Sequence, residues 1–122
     1  MGTFGVIGKG IAKALFEVHD PAANEALAQA RTIFAGLQHG RIDRTLFTPN
    51  ANSYFDATGL DDYRASLARF GEPKSFQIRA ARKRGGMQMR AYSVTFEKLE
   101  LHVVTYALPD GKLEQYMVSS AD

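Results

Sequence analysis

The sequence predicts an α+β domain in which N-terminal helices cover a C-terminal antiparallel sheet of about four strands. Three observations carry this reading. Apolar residues recur every three or four positions up to about Lys74 and every second position after it. The segments between the alternating runs are too short for a crossover helix, so neighbouring strands must run antiparallel. The chain has 122 residues, enough for one core and too few for two independent domains.

Composition narrows the functional classes. Hydrophobic residues make up 45% and charged residues 23%, the balance of a packed globular body rather than a disordered chain or a coiled coil. The net charge of +2 is small. Its main concentration is Arg79, Arg82, Lys83 and Arg84 beside Gly85-Gly86, which reads as a solvated hairpin tip, and no nucleic-acid partner is expected. Without cysteine there is no disulfide, no thiolate nucleophile and no cysteine-ligated zinc. The apolar run over residues 4–16 is interrupted by Lys9 and Lys13 and is too short to span a bilayer, so no membrane partner is expected. Composition leaves the compartment open.

The elements follow in order. Val6, Ile7, Ile11, Ala14 and Leu15 have helical spacing, so residues 1–20 read as an N-terminal helix or linker, and residues 21–122 as the single α+β domain. Gly5, Gly8 and Gly10 lack the order of a phosphate loop, and no strand precedes them. Asp20-Pro21 predicts a helix start, with Ala23, Leu27, Ala30, Phe34 and Leu37 on one face and Gly40 as the stop. Asp43 caps a short turn through Leu46 and Phe47, which Pro49 ends, and residues 50–56 read as a loop or a brief extended piece. Thr58-Gly59-Leu60-Asp61 approximates a capping box. Leu60, Tyr63, Leu67 and Phe70 then share a helical face that Gly71 and Pro73 terminate.

Strands are predicted over residues 74–83, 87–96, 99–107 and 112–119. Pairing Phe96 with Leu99 places Val94 opposite Leu101 and Tyr92 opposite Val103, and a Pro109-Asp110-Gly111 loop brings Leu113 and Met117 to the same face. That face, with the helical residues Phe34, Leu37, Tyr63, Leu67 and Phe70, is the predicted core. The other carries Ser93, Thr95, Glu100, His102, Val104, Tyr106, Glu114 and Tyr116, a mixed surface suited to an interface, for which His102, Tyr106 and Tyr116 are the candidates.

Reactive constellations are sparse. His19, His39 and His102 stand in no metal-ligand spacing, so neither metal nor cofactor is expected. His19 and His39 sit at helix ends; His102, near Glu100 and Glu114, is the one imidazole worth testing as a base. Asp61 and Asp62 point about 100° apart on a helix and suit its first turn better than shared catalysis. No serine lies in a nucleophile elbow or an S-x-x-K motif. Alternation places Arg90 on the core face, where a cation either emerges at the sheet end or takes a partner. Arg90, Tyr92, Tyr54 and Tyr63, with Phe34 behind them, are the candidate lining of a pocket between helices and sheet, suited to a small apolar or anionic ligand.

The order of helix, short helix, third helix and antiparallel sheet resembles the nuclear-transport-factor-2-like (SnoaL-type) superfamily. The resemblance implies a cone-shaped fold on a curved sheet, an enclosed pocket and a homodimer formed through the sheet. A closer likeness spans about residues 30–118, through Phe34-Ala35-Gly36-Leu37, Gly40-Arg41-Ile42-Asp43-Arg44, Leu46-Phe47-Thr48, Arg84-Gly85-Gly86-Met87 and the run from Tyr106 to Tyr116. These motifs are similar to the accessory domain that follows β-lactamase-like serine hydrolases in some bacteria. That likeness implies a serine-hydrolase domain as a partner in the parent protein and a periplasmic or secreted setting. It carries no catalytic serine or lysine to this chain.

Two functional classes therefore compete. One is a non-catalytic ligand-binding or association domain with a pocket between helices and sheet. The other is a small-molecule isomerase, cyclase or hydratase, implied by the resemblance, which needs an inward acid or base. The predicted register puts no Asp or Glu on the inner face and turns His102 outward, which ranks the binding reading first.

Overall fold

The computed structural model describes residues 20–120. The helix expected within residues 4–16, and His19, lie outside the described residues. From Asp20 the elements are helix α1 (Ala23–Gln38), a 3-10 turn (Arg44–Leu46), the short helix α2 (Pro49–Asn52), helix α3 (Ala57–Leu67) with a 3-10 extension (Ala68–Phe70), and strands β1 (Ser75–Arg84), β2 (Met87–Thr95), β3 (Glu100–Ala107) and β4 (Leu113–Ser120). The strands form one antiparallel sheet in sequence order, the α+β arrangement that the change of period predicts.

Local chemistry explains the helix ends. Asp20 Oδ1 accepts from Ala22 N at 3.1 Å, but Pro21 and Ala22 form a turn, so α1 begins two residues later than expected. Its C-terminal end closes where Gly40 takes φ 72°, a conformation costly for residues with a Cβ. Asp43 accepts from Thr45 N as the sequence suggests. Pro49 acts differently. Thr48 Oγ1 accepts from Ala51 N at 3.0 Å, and Pro49, whose missing N–H costs nothing in a first turn, opens α2 rather than ending a segment. The cap of α3 is Asp56, accepting from Gly59 N at 2.8 Å, two residues before the expected Thr58.

Register follows the predicted pairing across the hairpin between β2 and β3. Tyr92 faces Val103, Val94 faces Leu101, and Phe96 N donates to Leu99 O at 2.8 Å. Two irregularities escape simple alternation. A bulge between Ile78 and Ala80 changes the phase of β1. In β4, Ala107 faces Leu113 but Tyr106 faces Gln115, so Glu114 is an extra residue and every later side chain changes face. Leu113 is buried as expected. Met117, expected in the core, lies 47% exposed opposite Val104, and Tyr116, expected outside, is 4% exposed opposite Thr105. Both corrections have the single cause of one inserted residue in a period of two.

The helices meet the inner face through aromatic side chains. Phe34 sets its ring edge against Phe76 at 5.9 Å between centroids, and Phe96 packs against both Phe34 and Phe70. Phe34, Leu37, Tyr92, Val94 and Val103 have almost no contact with solvent. Each such side chain contributes about 1.5–3 kcal/mol on burial. Gln38 fastens α1 to the end of α3, its Nε2 donating to Leu67 O at 3.1 Å and Gly71 O at 2.8 Å.

Candidate functional site

The centre of the helix-to-sheet seam is filled, and its open spaces lie at the edges. One hollow of about 670 Å³ lies between the start of α1 and the turns of the β1–β2 and β3–β4 hairpins, lined among others by Asp20, Glu25, Gln29, Lys83, Arg90 and Leu108. Another of about 320 Å³ lies between α2, α3 and β4, lined among others by Ala51, Tyr54, Phe55, Tyr63, Tyr116 and Met117. The predicted lining is thus divided. Arg90 belongs to the first hollow, Tyr54 and Tyr63 to the second, and Tyr92 and Phe34 are buried in the core between helices and sheet.

Arg90 faces inward because β2 alternates without a bulge, which puts it in phase with Tyr92 and Val94 and opposite Thr105. Only 11% of its side chain is exposed. Its Nε donates to Asp20 Oδ2 at 2.5 Å and its Nη2 to Asp20 Oδ1 at 3.3 Å, the forked geometry in which a guanidinium matches a carboxylate. The Asp20 side chain is 5% exposed. The Arg90 hydrogen bond, against the opposing effect of burial and with help from Ala22 N–H, holds the Asp20 carboxyl below its ordinary pKa. It is therefore a fixed anion rather than a group poised to exchange protons near neutral pH.

Asp20 is the residue that inspection of the strands alone misses, since no inner strand position is acidic. It arrives from the helix layer. The available signal was Arg90 itself, an inward cation that requires a counter-charge.

A line of tyrosines leads away from this pair. Burial pushes the Tyr92 hydroxyl up to about 12, partly offset by Arg90 and reinforced by Asp20. Tyr116 donates its hydroxyl to Ala30 O at 2.9 Å, and burial raises its pKa well above the ordinary value, with Tyr92 and Tyr63 close enough to raise it further. Tyr63, half-buried, is also raised by burial. Tyr54 stands 73% exposed at the far rim.

On the outer sheet face, His102 is exposed with Nε2 at 3.4 Å from Glu100 Oε2. Glu114 is not its partner, for its Oε2 accepts from Asn50 Nδ2 at 2.7 Å. The register places Tyr106 on this face with Met89 and Val104, joined by Met117 in place of Tyr116. Among the basic residues of β1, Lys83 lines the larger hollow with Arg82, while Arg79 lies at the bulge and donates to Gln77 Oε1 at 3.4 Å.

No family model matches this chain, and no curated protein matches it. Among solved structures, an NTF-2 like protein from Burkholderia xenovorans LB400 is similar to it, with a TM-score of 0.43 and 14% identity over 83% of this chain and 87% of that chain.

Proposed function

We propose that this chain is a non-catalytic binding and association domain of the nuclear-transport-factor-2-like type, taking a small anionic ligand with an apolar body in the hollow beside Arg90. The observation that carries the reading is the Asp20–Arg90 pair at the wall of that hollow. It holds the start of α1 against the sheet, and Lys83, a cation close enough to help lower the Asp20 pKa, lines the same hollow. Ala26, Ala107 and Leu108 supply apolar surface alongside. Such a wall orients an anion by charge and retains its body by burial.

A second reading, a SnoaL-type isomerase, cyclase or hydratase, gains one specific support: Asp20 is an inward carboxylate. Its lowered pKa counts against it as a general base, because a carboxylate stabilised by a guanidinium accepts a proton weakly. Binding is therefore the better-supported function. Self-association through the outer face is its companion, resting on the exposed Met117 beside Val104 and Tyr106.

Titration with benzoate, followed by amide chemical shifts, tests the ligand site. Shifts should concentrate at residues 83–90 and the start of α1 and weaken in Lys83→Ala, which leaves the buried pair intact. Shifts spread evenly over the surface would dismiss the site. Sedimentation equilibrium tests the association, with a dimer expected and Val104→Glu expected to give a monomer; a monomer in both proteins removes the association half.

A further inference from the structure

The two edges of the sheet are built differently. Strand β1, one edge, carries Arg79, Arg82, Lys83 and Arg84 along its length, a run of like charges that discourages pairing with another strand. Strand β4, the other edge, opens with Leu113 and Glu114 and then runs through Gln115, Tyr116, Met117, Val118 and Ser119 without charge or proline. Among the described residues, backbone pairing on its outer side is confined to its first residue, where Leu113 bridges Phe47 and accepts from Thr48 N at 3.0 Å. In an antiparallel edge strand, alternate residues turn N–H and C=O away from the only neighbour. Residues 115–118 therefore present a short ladder with no strand partner among the described residues.

Beside this edge runs a groove. The hollow of about 320 Å³ and a neighbouring one of about 290 Å³ share Tyr63, and residues 114–118 supply one wall of both. The opposite wall comes from α2 and α3. The lining is mostly aromatic and apolar, with Gln115 and Ser66 as uncharged polar members and Glu114 and Asp62 as its charged ones, and it includes no cation. The groove thus joins three features: main-chain hydrogen-bonding groups with no strand partner among the described residues, apolar space for side chains, and negative charge at its rim.

We propose that this groove binds an extended peptide segment in which basic residues alternate with apolar or aromatic ones, added to β4 as a fifth strand. Main-chain hydrogen bonds to residues 115–118 supply affinity independent of sequence, and alternate side chains supply selectivity. Inward side chains enter the space beside Phe55, Tyr63 and Tyr116. Basic residues meet Glu114 and Asp62, and an acidic strand is repelled there. The site is separate from the Arg90 hollow, so either can fail without the other.

The test uses a short synthetic peptide alternating lysine with valine and phenylalanine, and the same peptide with glutamate in place of lysine. The lysine peptide should slow amide hydrogen exchange at residues 115–118 and shift the signals of Tyr54 and Tyr63. The Glu114→Lys, Asp62→Lys double variant leaves the groove wall and backbone in place, and its circular dichroism should match the parent. Its affinity for the lysine peptide should fall by about tenfold or more, the equivalent of about 1.4 kcal/mol. The proposal is overturned if the lysine peptide fails to bind at millimolar concentration, if the glutamate peptide binds equally, or if protection appears elsewhere. It is equally overturned if residues 115–118 are already protected in a concentration-dependent way, which would assign the edge to a second copy of the chain.

Discussion

Arg90 on the second strand and Asp20 at the start of the first described helix are separated by 70 residues in sequence and by 2.5 Å between Nε and Oδ2. Neither charge has much water around it, so each depends on the other. Arg90→Met should destabilise the protein by about 3 kcal/mol, chiefly because Asp20 is left without its counter-charge. Adding Asp20→Asn should recover most of that loss. Urea unfolding of the two single variants and the pair, as a double-mutant cycle, measures both effects.

The same pair sets an acid limit. The folded pKa of Asp20 lies below its ordinary 3.8, so the ionised form is favoured by folding. Its stabilisation is complete above pH 3.8 and disappears as pH falls through the lowered folded value. Asp20→Asn should therefore flatten the pH dependence of stability below that point, observable as unfolding free energy between neutral and strongly acidic solution.

Tyrosine burial sets the alkaline limit with the opposite sign. Tyr92 is raised from 10.0 to about 12, so its share of stability is intact below pH 10 and is lost as pH climbs from 10 to about 12. Tyr116 adds to this loss, its folded pKa also being raised. Tyr116→Phe should cost about 1 kcal/mol at neutral pH through loss of the bond to Ala30 O. It should also make the alkaline decline shallower, which thermal melts across that range would detect.

Gly59 offers a test of packing against propensity. Glycine inside a helix normally costs about 1 kcal/mol relative to alanine. A Cβ at this position, however, would lie 2.6 Å from Tyr54 O, a backbone atom that cannot turn aside. Gly59→Ala should therefore destabilise by about 1–3 kcal/mol instead of stabilising. A rise in melting temperature would contradict the close approach of α3 to the preceding turn.

Thr48 joins two elements through one residue. Its hydroxyl caps α2 and its N–H donates to Leu113 O. Thr48→Ala should cost about 1 kcal/mol through the cap alone, while the backbone bond survives. Denaturant unfolding should show that loss with an unchanged dependence on denaturant concentration.

Much of the fold was legible because it rests on neighbours in sequence. The pairing of Tyr92 with Val103 follows from alternation and the short connection through Glu97 and Lys98, and the helix stop at Gly40 follows from a backbone angle that glycine tolerates. The candidate site was legible only in part. Arg90 was correctly placed inward, but its grouping with Tyr54 and Tyr63 did not survive, because the aromatic core fills the space between them.

By itself the sequence determined the α+β class, the order of the strands and the inward face of β2, since these depend on periods of two and near four and on glycine and proline at the turns. The tertiary structure alone decided that Glu114 is an extra residue exchanging Tyr116 with Met117, and that Asp20 crosses from the helix layer to Arg90. A bulge is a compromise among neighbouring strands, and an ion pair between distant segments depends on where the folded chain brings them. Neither leaves a repeating pattern for local spacing to reveal.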